Sequence, residues 1–177
     1  MRRPGILIVL LAISSSAGWG QEAAKKTEAT KPISPLAWLV GGVWTADTSK
    51  IGPGMKDIET RYQWSDNNAF IRFTTHFVME KGTLKNYDGQ FFWDAQKSAL
   101  GFWYMSAQGV IYEGPVKVQG DVMELTFRGE DFDGKMSDLR VTVTRKISDH
   151  YNWLLEEKQA DAWKQLLSLE YLRTGGS

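Results

Sequence analysis

Residues 36–47 read LAWLVGGVWTAD, with two tryptophans placed around a pair of adjacent glycines. Gly41 and Gly42 carry no Cβ, so the chain can turn sharply there and approach neighbouring backbone closely. The run that follows, residues 43–48, is short and rich in residues that favour strands. We expect residues 36–39 to form a short helical turn that covers one end of a β-structure. Trp44 would then be the first inward-facing residue of the first strand.

An alternating pattern continues through most of the chain. In residues 57–64, DIETRYQW, every second residue is apolar, aromatic or Thr, and residues 69–79 and 122–128 follow a similar rhythm. Alternation with a period of two predicts half-buried strands, and polar clusters such as residues 65–68 predict the turns between them. About ten short strands follow one another with no strong helical segment between them. This spacing favours an all-β fold, either a sandwich or, as we predict, a single antiparallel up-and-down β-barrel of about 8–10 strands.

The last segment has two interpretations. Trp163, Leu166, Leu167 and Tyr171 fit the spacing of an amphipathic helix as well as that of a strand. We predict a strand, because residues 159–163 resemble a hairpin turn and a terminal strand would close the barrel. Closure also removes the exposed sheet edges that invite aggregation.

The N-terminal residues resemble an export signal. Arg2 and Arg3 precede an apolar run at residues 6–13, and small residues follow it. The apolar run is shorter than the roughly 20 residues of a membrane span, although an uncleaved anchor is the alternative. We predict a signal peptide at residues 1–20, a disordered linker at 21–35 and a barrel domain at 36–174. The mature protein would be periplasmic or secreted, without integral membrane association.

Composition narrows the classes of function. The chain has no cysteine, which excludes disulfides, thiolate chemistry and a lipid-anchored N-terminus. It has 21 basic and 21 acidic residues, and removal of Arg2 and Arg3 with the signal leaves a formal charge of −2. No dense basic run is present, so nucleic acid is a poor partner. Nothing in the sequence indicates an oligomeric state.

The Gly-x-Trp opening at residues 42–44 resembles the start of the lipocalin and fatty-acid-binding β-barrels, the calycin superfamily. In that family an arginine near the last strand packs across the tryptophan, which implies structural roles for Gly42, Trp44 and Arg173. The domain also resembles exported bacterial proteins of unknown function over roughly residues 36–173. The shared features are a Leu-x-Gly opening, a nearby Trp, a YDG strand and a terminal Tyr-x-Arg. Here they fall on Leu39, Gly41, Trp44, Tyr87, Asp88, Gly89, Tyr171 and Arg173.

Catalytic and metal-binding patterns are missing from the sequence. With only two histidines, His76 and His150, a three-histidine zinc site is excluded. No phosphate loop, nucleophile elbow, zinc-protease or dinucleotide motif is present. We therefore expect no catalytic residue, no metal and no cofactor. Some small barrels that resemble this fold bind haem through one late histidine, which makes His150 a candidate ligand, but a solvated turn is the simpler interpretation.

Three functions remain open. The first is a module that binds a small hydrophobic or amphipathic molecule inside the barrel. Its walls would be Trp44, Tyr62, Phe73 and Trp103, and its polar anchor for a carboxylate or hydroxyl would be Arg72 with His76. That polar face is alternatively the solvent side of the strand. The second is a structural or interaction protein with a filled core, and the third is a small cyclase or isomerase that uses His76 with Glu59 or Asp57.

Overall fold

A computed structural model describes residues 32–48, 51, 54–130 and 134–175. Within these ranges the chain forms a 3-10 helix and ten strands. Their bounds are Ser34–Leu39 for the helix and, for strands β1 to β10, Val43–Asp47, Met55–Trp64, Ile71–Met79, Gly82–Asp94, Ala99–Ser106, Ile111–Gln119, Val122–Glu130, Met136–Ile147, His150–Gln159 and Ala162–Thr174. The predicted signal peptide and most of the predicted linker lie outside the described residues. No helix in the described part is long and apolar enough to cross a membrane.

Every strand pairs antiparallel with the next, and β1 pairs with β10, so the sheet closes on itself. The predicted all-β, up-and-down barrel is therefore confirmed. The ambiguous last segment is a strand, because β10 pairs with β9 along its length and with β1 at its end. The pairing of Trp44 with Arg173 lies at this closure.

The two ends of the barrel differ. We call the end at which β1 begins the floor, because the 3-10 helix covers it with buried Leu36 and Leu39. Ile33, which the sequence prediction assigned to the linker, is also buried there. We call the opposite end, where the odd-numbered strands finish, the mouth.

Alternation along each strand separates an inner from an outer face. On β3, Ile71 and Thr75 are buried while Arg72 between the inward positions is exposed. Cross-strand partners lie on the same face of the sheet. Ile71 therefore faces inward beside Phe91, and Phe91 faces inward beside Phe102. The core is thus the lumen of the barrel, and it is most deeply buried toward the floor.

Candidate functional site

Trp44 is the central side chain of the floor. It is fully buried, and its indole N–H donates a hydrogen bond to the carbonyl of Leu39 at 2.7 Å. The Arg173 guanidinium lies over the indole, 4.4 Å from the ring centroid, and donates to the carbonyls of Trp38 and Val40. The last strand is thus tied to both the first strand and the helix.

Gly42 makes this arrangement possible. Its φ is +68°, and a Cβ at this position would meet the Arg173 side chain at 2.9 Å and the Thr174 carbonyl at 3.0 Å. Any larger residue would be strained by the backbone conformation and would displace the arginine. Gly42, Trp44 and Arg173, the three residues to which the sequence resemblance gave structural roles, meet at this point.

Stacked aromatic rings fill the lumen above Trp44. Tyr151 lies 4.7 Å from Trp44 and 4.8 Å from Tyr171 between ring centroids, and both tyrosines are buried. Burial raises the pKa of Tyr62 to about 12, against a smaller lowering by its hydrogen bond with Tyr151. The floor half is therefore a buried, packed core in which burial favours the protonated phenols.

The mouth half of the lumen is different. On each strand from β3 to β7, an inward-facing residue near the floor is buried, whereas an inward-facing aromatic residue near the mouth is half-buried. We call these five side chains the mouth aromatics: Phe77, Tyr87, Tyr104, Tyr112 and Phe127. Part of the surface of each of these inward-facing residues therefore remains accessible to solvent.

The mouth aromatics form one connected group. Tyr104 is at its centre, with ring centroids 5.1 Å from Tyr87, 5.0 Å from Tyr112 and 5.9 Å from Phe127. Burial raises the pKa of Tyr104 well above its usual range, and the neighbouring tyrosines add to this effect. The group offers an apolar, uncharged surface with phenolic hydroxyls that can donate hydrogen bonds.

The YDG motif at residues 87–89 helps to position this group. Tyr87 faces inward, whereas Asp88 accepts a hydrogen bond from Thr74 on β3 at 2.8 Å. Gly89 lies where a Cβ would meet the Trp103 carbonyl at 2.4 Å and the Tyr104 Cβ at 2.6 Å. The glycine thus lets β4 and β5 approach closely enough for Tyr104 to pack in the lumen.

A notch in the mouth separates the ends of β8 and β9. Their ladder begins at the pair of Leu139 and Glu157, and the residues beyond it line a cavity of about 570 Å³. Glu157 lines this cavity, and only 8% of its surface is exposed. Its carboxylate accepts hydrogen bonds from Ser137 at 2.6 Å and from Gln159 at 2.9 Å.

The structure distributes the predicted site residues over three places. Trp44 belongs to the floor, and Tyr62 and Phe73 face the lumen, with 6.0 Å between the ring centroids of the latter two. Trp103 is on the outer face, because its strand neighbours Phe102 and Tyr104 point inward. Arg72 and His76 are also on the outer face, between the inward positions of β3. The lumen therefore does not contain the polar anchor that the sequence suggested, and the solvent-side alternative describes those two residues.

The residues of the enzyme hypothesis are on the outer face as well. Glu59 and His76 are cross-strand partners there, and the Glu59 carboxylate lies 3.7 Å from the Arg61 guanidinium. His150 starts β9 and its imidazole contacts the Glu170 carboxylate. Among the residues that the structure describes, no three His, Cys, Asp or Glu side chains are grouped as metal ligands would be.

Sequence reasoning missed Glu157 and all five of the mouth aromatics as site residues in the lumen. For Glu157 a signal was available, because Tyr151, Trp153 and Leu155 alternate toward it on one face of β9. For Tyr104 the pattern was uninformative, because three aromatic residues stand in succession at 102–104.

Neither a protein-family model nor a curated protein matches the sequence. Among solved structures, the chain is similar to the crystal structure of Rv2717c from M. tuberculosis. The two are 16% identical, with a TM-score of 0.49, over 81% of this chain and 97% of that one.

Proposed function

We propose that this protein is an exported, calycin-like barrel that binds a small hydrophobic or amphipathic molecule at its mouth. One observation carries the proposal: five successive strands place an aromatic side chain in the lumen, and all five remain half-buried. Large apolar groups that point into a protein are normally covered. A bound molecule would cover these, and each Å² of apolar surface removed from water contributes about 25 cal/mol.

The floor and the mouth support different roles. In the floor half, Trp44 is fully buried and Tyr151 is 1% exposed, as in a barrel with a filled core. In the mouth half, the rings of Tyr104 and Tyr112 stack at 5.0 Å yet keep accessible surface. A purely structural barrel would be packed throughout, so the contrast favours a binding site built on a rigid base.

The cyclase or isomerase hypothesis receives no support from the geometry. General acid–base catalysis needs titratable groups within hydrogen-bond reach of a bound substrate. His76 and Glu59 lie on the outer face of the barrel, whereas the mouth aromatics face the lumen.

The proposed location rests on the N-terminal sequence alone. From it we propose that the protein is exported, is periplasmic or secreted, and is released from the membrane.

The proposal is tested with N-phenyl-1-naphthylamine, an uncharged dye whose fluorescence rises in apolar surroundings. We expect the full-length protein to give a saturable rise. Tyr112→Ala should weaken dye binding, because it removes a ring from the mouth aromatics. Ile111→Ala is the matched control, since Ile111 is the next residue on β6 and is 62% exposed on the outer face.

A second pair of variants, one on the inner face and one on the outer face, tests the proposal if Tyr112→Ala does not fold. Tyr104→Leu keeps an apolar side chain in the lumen, and Met105→Ala removes an exposed neighbour from the outer face. Folding of each variant is checked by urea unfolding. The absence of saturable binding in the wild type, or equal losses in the inner and outer variants, would contradict the proposal.

A further inference from the structure

We propose that the molecule bound at the mouth is a cationic amphiphile, with an apolar body and a protonated amine or quaternary ammonium group. This inference rests on the proposed function and adds the charge of the ligand. It follows from the way in which Glu157 continues the row of mouth aromatics.

The register of the sheet places the carboxylate and the aromatic rings in one row. Tyr104 pairs with Tyr112, Phe127 pairs with Leu139, and Leu139 pairs with Glu157. The ring of Tyr112 lies 6.0 Å from that of Phe127, which joins the two halves of the row. An apolar chain that lies along these rings would therefore bring its end group to Glu157.

Glu157 is a buried acid that has no cationic partner among the residues that the structure describes. Two neutral donors, Ser137 and Gln159, orient its carboxylate. None of the ion pairs formed between described residues includes Glu157. Burying an acidic group that no cation neutralises is costly, so a positively charged ligand group would be stabilised there.

The described basic residues that face the lumen lie at the other end of the barrel or are exposed to solvent. Arg173 and Arg145 lie over Trp44 and Trp38 at the floor. Lys164 is the cross-strand partner of Glu157, but its side chain is exposed.

The cations at the edge of the notch are exposed too. Arg128, Lys135 and Lys158 line the same cavity and are exposed, and the Arg128 guanidinium is 3.6 Å from the Asp138 carboxylate. Solvent screens these exposed charges more strongly than it screens the carboxylate of Glu157, which is 8% exposed. The buried acid therefore sets the sign of the ligand that the site selects.

The aromatic rings favour the same sign of charge. The faces of Phe127 and Tyr112 attract cations through the ring quadrupole. A carboxylate ligand would instead meet the like charge of Glu157 and the negative ring faces. The site thus discriminates against fatty-acid-like anions by repulsion as well as by lost attraction.

The test compares three probes with the same eight-carbon tail: n-octylamine, which is protonated at about pH 7, octanoate and 1-octanol. Each is used below its aggregation concentration to displace N-phenyl-1-naphthylamine from the full-length protein. We expect n-octylamine to bind about tenfold or more tightly than octanoate, with 1-octanol between them. Glu157→Gln should bring the three affinities to within about threefold of one another.

Matched variants separate charge from folding. Glu113→Gln removes an exposed, outward-facing acid on β6 and should keep the full preference. Glu157→Asp keeps the charge and should retain a preference for n-octylamine. Urea unfolding shows whether each variant is folded.

The outcomes distinguish this inference from the proposed function. Displacement by 1-octanol with octanoate equal to or tighter than n-octylamine would overturn the cationic selectivity and leave the binding site standing. An unchanged preference in folded Glu157→Gln would overturn the role of Glu157. If no probe displaces the dye, both proposals fail.

Discussion

Arg173 lies across Trp44, with the guanidinium carbon 4.4 Å from the centroid of the indole. The two residues are also cross-strand partners at the closure between β1 and β10. The same guanidinium donates to the carbonyl of Trp38 in the 3-10 helix and to that of Val40 just after it. One side chain therefore holds the first strand, the last strand and the cap of the barrel together.

Replacing this arginine should destabilise the whole barrel. Arg173→Met should lower the free energy of unfolding in urea by about 2–4 kcal/mol, because a cation–π contact and two carbonyl acceptors lose their partner. Arg61→Met is the control, since Arg61 is exposed and makes one long ion pair. Its effect should stay within about 0.5 kcal/mol. Equal losses in the two variants would show that Arg173 has no special role.

Alanine substitutions at two glycines test whether stability depends on the close approach of β4 and β5. Gly89→Ala should cost about 1–3 kcal/mol or more, because its Cβ would lie 2.4 Å from a backbone carbonyl. Gly101→Ala should cost less, since its nearest neighbour is the end of the Phe92 ring at 2.9 Å, which can rotate away. The order of the two urea midpoints checks this prediction, and the reverse order would contradict it.

All six tyrosines have raised pKa values, with burial as the largest cause. Unfolded tyrosine ionises near pH 10, so the unfolded chain loses these protons first. The stability that each phenol contributes is fully present below about pH 10 and is lost as the pH rises through the folded-state value, which is about 12 for Tyr62.

A spectrophotometric titration checks the tyrosine prediction. The native protein should show little phenolate absorbance near pH 10, whereas the urea-unfolded protein should be about half ionised there. The urea midpoint should fall as the pH is raised from about 10 to about 12. A native titration curve that matches the unfolded one would contradict the burial of these side chains.

Arg140 is the centre of an ionic group on the outer face of the barrel. It donates to Glu156 at 2.7 and 2.8 Å and lies 4.5 Å from the centroid of Trp163. Arg140→Met should cost about 1–3 kcal/mol, because Glu156 is 12% exposed and would lose its cation. Arg128→Met, which removes an exposed ion pair, should change stability by no more than about 0.5 kcal/mol. If Arg140→Met lowered the stability by no more than Arg128→Met does, the result would show that solvent already screens this ionic group.

Period-two alternation made most of the fold predictable. On β2 and β3 the side chains that the pattern assigned to one face, such as Ile58, Thr60, Ile71 and Thr75, are the buried ones. Closure was predictable because the terminal strand needed a partner and β1 offered its free edge. The segment covered by β10 looked partly helical because its register shifts between Gln165 and Leu167. This irregularity places Leu166 and Leu167 side by side and breaks the alternation.

The site was less predictable than the fold. The sequence pattern shows that the residues of β3 alternate, but it does not show which alternate set faces the lumen when both contain aromatic or polar groups. Arg72 and His76 were candidates for that reason. Alternation on β9 places Glu157 on the inner face, but the cavity beside it depends on the separation of β8 from β9 beyond Leu139, which no local sequence pattern indicates.

The most direct test of the central claim is an NMR titration of the full-length protein with 1-octanol, followed at assigned side chains. We predict saturable shift changes at Tyr104, Tyr112 and Phe127 with one common affinity. The indole N–H of Trp44, buried in the floor and bonded to Leu39, should not move. Changes confined to outer-face residues such as Trp103 and Ile111, or no saturable change at all, would contradict a ligand site at the mouth.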